Sequence, residues 1–147
     1  EIEIKATALG WAVAEVSAEE IDRINIYQAS RVALRQAVLN LSPQPDFVFV
    51  DAMRLDLITP QLSLIHGDAI CQSIAAASIL AKVERDRRMQ SFDQQYPGYN
   101  LAGNKGYGTP DHCQALARLG ATPQHRKSYS PVANVLPRSQ DEGPLLF

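Results

Sequence analysis

The sequence predicts an α/β domain with a mixed sheet flanked by helices, and three observations carry that reading. Short runs with strand character alternate with longer runs of helical spacing along the 147 residues. The run Phe-Val-Phe-Val at 47–50 is wholly apolar and bounded by turn residues, the pattern of a central strand covered on both faces. The segment from Ile70 to about Tyr96 is helical in pattern, and its residues 74–81 are apolar or small all round, which predicts burial on most sides.

Each element has its own signal. Residues 2–9 read as helical or irregular, and Trp-Ala-Val-Ala-Glu-Val at 11–16 alternates as a strand does. Ser17 with Glu20 three residues later is a capping box, and apolar residues at Ile21, Ile24, Ala29, Ala33, Ala37 and Leu41 extend that helix to about Asn40. Ser-Pro-Gln-Pro at 42–45 stops it, because proline cannot continue a helix. Residues 61–65 form a second strand, which runs toward Asp68. Ala75, Ala76, Ala77 and Ser78 allow close backbone approach to the long helix, and Glu84 and Arg88 are spaced for an i,i+4 pair at its charged end. Glycines and prolines make 96–110 a loop. Thr109 then caps a helix with Pro110 at its first position, and Gly120 follows its last residue. Four prolines between 121 and 147 give an irregular C-terminal stretch, with a tail at 133–147.

A hydrophobic content of 46% and a charged content of 20% are those of an ordinary globular domain. No apolar run reaches the roughly 18 residues of a membrane span, and no charged leader with an apolar core is visible, so the chain is expected off the membrane. Cys71 and Cys113 lack metal-ligand spacing, which fits a reduced, cytoplasmic protein. The net charge of −2 is uneven: residues 1–73 hold 10 acids and 5 bases, residues 74–147 hold 6 acids and 9 bases. This excludes a strongly basic nucleic-acid binder but leaves room for a local basic surface. The first residue is Glu1 rather than Met, and the chain opens inside an amphipathic element, so a fragment is expected.

Two acids stand where chemistry is done in α/β folds. Asp51 directly follows the apolar strand, and ligands bind outside the carboxyl ends of such strands. Asp68 follows the second strand and also suits the N-cap of the long helix. Converging carboxylates bind Mg²⁺ or Mn²⁺, since these hard cations prefer oxygen. Tyr107 stands between Gly106 and Gly108 with Lys105 before it, an arrangement suited to stacking on a sugar or base beside a phosphate contact. Arg126 and Ser128 are further candidates for phosphate contacts. Asp86, among Lys82, Arg85, Arg87 and Arg88, reads as a structural ion pair, and His66, His112 and His125 as surface or packing residues.

Five stretches in order resemble bacterial ribonuclease HII, the type 2 ribonuclease H family. They are EEIDRINIYQA at 19–29, FVFVDA at 47–52, IHGDAICQSIAAASILAKVERD at 65–86, YPGYNLAGNKGYGTPDH at 96–112 and HRKSYSPV at 125–132, where Tyr129 replaces the usual Phe. The resemblance implies a ribonuclease H-like fold and cleavage of RNA in RNA–DNA hybrids or of ribonucleotides embedded in duplex DNA, leaving 3′-hydroxyl and 5′-phosphate ends. It implies a four-carboxylate site for Mn²⁺ or Mg²⁺, of which Asp51 and Asp68 match the third and fourth acids, with in-line attack by a metal-activated water. Tyr107 matches the tyrosine that stacks beside the ribonucleotide.

The family's first two acids lie in an N-terminal DEAGRG strand that has no counterpart here, and its later SKK segment is also missing. Asp-Glu-Gly-Pro at 141–144 is read as tail. The expectation is therefore a partial catalytic domain at 1–132, monomeric and lacking N-terminal strands, with little or no activity alone. The alternative is a truncated hybrid-binding or vestigial protein without catalysis.

Overall fold

The computed structural model of the chain describes residues 1–137. The elements in order are α1 (Ile2–Thr7), α2 (Ala18–Ile24), α3 (Ile26–Leu39), β1 (Val48–Asp51), β2 (Gln61–Leu64), α4 (Gly67–Ile70), α5 (Gln72–Gln95), α6 (Leu101–Asn104), α7 (Pro110–Leu119) and α8 (Ser130–Ala133). The expected tail beyond residue 137, Asp-Glu-Gly-Pro included, lies outside the described residues.

β1 and β2 run parallel, in register from Val48 opposite Gln61 to Asp51 opposite Leu64. Among the described residues the expected mixed sheet is thus a two-stranded parallel one. Residues 11–16, expected as a strand, form no ladder. A strand is completed by a neighbour's N–H and C=O groups, and β1 and β2 pair with each other. The same shortage uncovers β1: Val50 is buried but Phe49 is 46% exposed, so only one face is covered. A trough of about 450 Å³ runs beside it, lined by Trp11, Val38, Phe49, Asp51, Ala76 and Ser78 among others. Within 74–81 only Ile74 and Leu80 are buried. The small residues Ala76, Ala77 and Ser78 face the trough instead of a packed neighbour, which corrects the expected all-round burial.

Local chemistry divides two helices that sequence periodicity joins. Asn25, with φ 68°, separates α2 from α3, and its side chain accepts from the Gln28 N–H to cap α3. Cys71, extended, separates α4 from α5. The loop expected at 96–110 contains α6, and the irregular stretch after 120 contains α8. Ser17 caps α2 by accepting from the Glu20 N–H at 3.1 Å, but the Glu20 carboxylate pairs with Arg23 rather than closing the box. Thr109 and Gly120 bound α7 as their positions require, with Gly120 at φ 79°.

Two buried groups hold the fold. Val50, Leu55, Ile74 and Leu80 gather beneath the sheet, with Ala29 from α3 also buried. Tyr99, Leu101, Ala115, Leu116 and Val132 form the second cluster, joined at its margin by Phe92 of α5 and by Val135 and Leu136 beyond α8. The charged end of α5 reaches back to the N-terminal segment: Arg88 pairs with Glu15 at 2.8 Å, not with Glu84, and Arg87 pairs with Glu1 at 2.7 Å. No helix among the described residues is long and apolar enough to cross a membrane.

Asp22 of α2 secures the approach to α8. Its carboxylate accepts from the Lys127 N–H at 2.6 Å, from the Ser128 N–H at 3.0 Å, and from the Ser128 hydroxyl. Burial opposes the charge, but these hydrogen bonds outweigh it and hold the carboxyl below its ordinary value. A lowered carboxylate contributes stability above its unfolded value near 3.8, and loses it as pH falls through the folded value. Asp22→Ala is expected to cost about 1 kcal/mol at neutral pH, modest because the group is near solvent. Thermal denaturation should show wild type and variant converging at acid pH; a gap that is unchanged at pH about 3 would contradict this account.

Candidate active site

Parallel pairing brings the carboxyl ends of β1 and β2 to one edge of the sheet, where binding groups collect in α/β folds. Asp51 is the last residue of β1. The chain leaves β2 through Ile65 and His66 and enters α4 at Gly67 and Asp68. The two ends are stitched together by one bond: the Gly67 N–H donates to Asp51 Oδ1 at 2.8 Å. A Cβ on Gly67 would stand 2.5 Å from Ile74 Cδ1 and 3.3 Å from Asp51 Oδ1, so only glycine fits without displacement. Both carboxylates are exposed. Asp68 does not cap the long helix as expected: Cys71 stands at the N-cap of α5, and Asp68 lies in the first turn of α4, whose N-cap is His66 in the left-handed region at φ 54°. Ala52, directly after Asp51, is also left-handed at φ 51°. Such residues are held against a backbone preference of about 1 kcal/mol or more, and strain of this kind clusters at functional sites.

Carboxylates are the donor type that Mg²⁺ or Mn²⁺ requires, since these ions take oxygen ligands and dehydrate reluctantly. No cluster of three or more His, Cys, Asp or Glu side chains that could hold an ion occurs among the described residues. A second ion would need donors from other residues.

The Tyr107 loop is a second feature, linked to the first by α5. Tyr107 is 62% exposed. Its hydroxyl accepts from Arg85 Nη1 at 3.0 Å, and the Arg85 guanidinium lies 5.5 Å from the ring centroid. Arg85 also pairs with Asp86 at 3.1 Å, so Asp86 does sit in an ion pair. Lys105 and Gly106 turn the chain ahead of Tyr107 with φ 55° and 80°. Gly108 passes under Tyr129, whose hydroxyl would be 2.6 Å from a Cβ there. Arg126 lies over the Tyr129 ring at 5.4 Å. Ser128 has both its N–H and its hydroxyl committed to Asp22. Arg85 was not legible as a site residue, because its partner is 22 positions away and its surroundings read as a solvated charge run.

The chain superposes on the crystal structure of the ribonuclease H2 from Pyrococcus horikoshii OT3 with a TM-score of 0.67, covering 82% of this chain and 65% of that one at 21% identity. That likeness shows the fold. The ribonuclease HII family model matches residues 2–132, and the chain belongs to the ribonuclease HII family, a family of hydrolases. It is 54% identical over 129 residues to the ribonuclease HII of Solibacter usitatus, covering 88% of this chain and 57% of the relative. It is 50% identical over 147 residues to that of Syntrophomonas wolfei, covering 99% and 58%. The chain spans about half the length of the curated relatives it matches.

Gly67→Ala is expected to destabilise the protein by about 1–3 kcal/mol through overpacking. Ile74→Val removes the atom nearest the added methyl and should recover part of the loss. A double-mutant cycle by denaturant unfolding measures this, and strict additivity of the two changes would show that the two side chains do not meet.

Proposed function

We propose that the protein carrying this chain is an endoribonuclease that cuts RNA in RNA–DNA hybrids and ribonucleotides embedded in duplex DNA, leaving 3′-hydroxyl and 5′-phosphate ends. The observation that carries the reading is the Gly67–Asp51 hydrogen bond, which sets the Asp68 turn against Asp51 at the strand ends in a chain of the ribonuclease HII family. Asp51 and Asp68 would hold a divalent cation, Mn²⁺ or Mg²⁺. Such an ion supplies Lewis-acid stabilisation and a water of lowered pKa. The Gly67 N–H leaves Asp51 its other oxygen for ligation and fixes the carboxylate's orientation. Tyr107 presents an exposed ring for a sugar beside the ribonucleotide, whose 2′-hydroxyl distinguishes RNA from DNA. Lys105 and Arg126 meet phosphates. Ser128 joins them only by releasing its hydroxyl from Asp22, so its first duty is anchoring the loop.

Two further carboxylates are part of this proposal. The trough beside β1, with Asp51 on its wall, is the place assigned to the strand that would bring them. The partial catalytic domain proposed for 1–132 is therefore incomplete, and two acids favour a second reading, a hybrid-binding protein that does not cut.

A DNA duplex with one ribonucleotide, incubated with Mn²⁺, separates the readings. The 147-residue chain alone is expected to bind with little or no nicking. Robust nicking by it, lost in Asp51→Asn, would show that the further acids are dispensable. In a longer form with those acids, Asp51→Asn should lower the rate by about 10³-fold or more, the scale of losing several kcal/mol of charge stabilisation. Tyr107→Ala should chiefly weaken selection of the ribonucleotide. Persistent binding without cleavage in the longer form would favour the second reading.

A further inference from the structure

His112 and His125 are joined by a chain of hydrogen bonds that leads to the backbone of Tyr107. His112 is 4% exposed. Its Nδ1 lies 2.8 Å from the Tyr107 carbonyl oxygen, and its Nε2 lies 3.1 Å from His125 Nε2. At the far end the Thr122 N–H points at His125 Nδ1, 3.0 Å away, and the Thr122 hydroxyl is 2.8 Å from the same nitrogen.

Donor and acceptor chemistry leaves one placement for the protons. A carbonyl oxygen only accepts, so His112 Nδ1 carries a hydrogen. A backbone N–H only donates, so His125 Nδ1 carries none. A neutral His125 therefore has its hydrogen on Nε2, and donates it to the bare Nε2 of His112. The relay runs in one direction, from Thr122 through both rings to Tyr107. An additional proton can enter only at His112 Nε2 or His125 Nδ1. At the first, two N–H groups would face each other at 3.1 Å; at the second, the new N–H would meet the Thr122 N–H, with the Thr122 hydroxyl 2.8 Å away left to accept it. In either case His112 Nδ1 keeps its hydrogen and its bond to the Tyr107 carbonyl.

The surroundings favour a neutral His125. Tyr99 lies edge-on to His112 and 5.2 Å from the His125 ring centroid, with its hydroxyl donating to the Gly120 carbonyl. The adjoining cavity of about 90 Å³ is lined by Met89 and Phe92 of α5, Leu101 of α6, Leu116 of α7 and Val132 of α8, and its charged lining residue is Arg126, a cation. The carboxylate nearest in α5's last turns, Asp93, is bonded to the Leu101 N–H at 2.7 Å, and Asp111 and Arg118 of α7 are exposed. Tyr129, also on the cavity wall, carries no charge at neutral pH. Burial, with His112 beside it, holds the His125 imidazole below its ordinary value.

We propose that His112 and His125 are positioning residues, a hydrogen-bonded imidazole pair that holds the Tyr107 loop ready to engage a ribonucleotide. This rests on the role given to Tyr107 above. The Tyr107 carbonyl takes a second bond, from the Thr109 N–H at 2.8 Å, so the pair supplies one of two tethers on a residue whose ring is otherwise held by Arg85.

The test compares binding of a duplex with one ribonucleotide and of the same duplex in DNA alone, by fluorescence anisotropy in EDTA, with the protein carrying this chain. His112→Asn, whose amide can donate to the Tyr107 carbonyl, should keep the wild-type preference for the ribonucleotide at pH about 7.5. His112→Leu should lower that preference about fivefold, the scale of one hydrogen bond. Ring ¹⁵N chemical shifts should place the proton on Nδ1 of His112 and Nε2 of His125. A proton on His112 Nε2, or a His112→Leu protein that keeps the wild-type preference, overturns the proposal. Tyr107→Ala serves as the separate control: full preference in that variant refutes the role of Tyr107, while the ring shifts still judge the relay.

Discussion

The space at Gly67 is the constraint on which the site depends. Two strand ends converge because a backbone N–H, not a side chain, fills the gap between Asp51 and Ile74. That contact does two jobs with one group. It satisfies an oxygen of Asp51, and it fixes where α4 begins, which in turn sets Asp68 one residue later. The bond draws on the parallel register of β1 and β2 for its geometry, and on Ile74 of the buried group beneath the sheet for its rigidity. Binding groups held by secondary-structure ends rather than by free loops keep their orientation before any ligand arrives.

Backbone strain follows the candidate residues through the chain. Ala52 comes just after Asp51, His66 just before the Gly67–Asp68 turn, and Lys105 just before the Tyr107 loop, and all three are left-handed without being glycine. Each stands where the chain changes direction so that a polar or aromatic side chain faces outward. Asn100 shares the conformation but, like His66, has a residue type that tolerates it, while Asn25 combines a positive φ with an extended ψ of 163°. The packing around Ala52 and Lys105 must therefore outweigh their local preference.

Much of this was readable from the residues, and the exceptions have physical causes. The ends of α7, the apolar runs of β1 and β2, and the placing of both acids near strand ends followed from local chemistry. The division of α2 from α3 did not, because the hydrophobic period continues across Asn25 and only its positive φ breaks the helix. Glu84 and Arg88 have the right spacing to pair, yet Arg88 finds Glu15, 73 residues away, and no local pattern reports such a partner. Asp22 and the His112–His125 contact were hidden for the same reason. The all-round burial expected for residues 74–81 failed differently: the pattern described a helix made to be covered, and its cover is absent from the described residues.

That uncovered face has a consequence for handling the molecule. Parallel sheets are ordinarily sheltered on both sides, and an unpaired strand edge is a template for another chain. Here Phe49, at 46% exposed, stands over a trough lined with apolar and small side chains. The hazard for this chain in isolation is therefore colloidal before it is thermodynamic. Its solubility ceiling will be set by intermolecular strand pairing at β1, and charged or proline substitutions along that edge, rather than a better-filled core, are the changes that raise it.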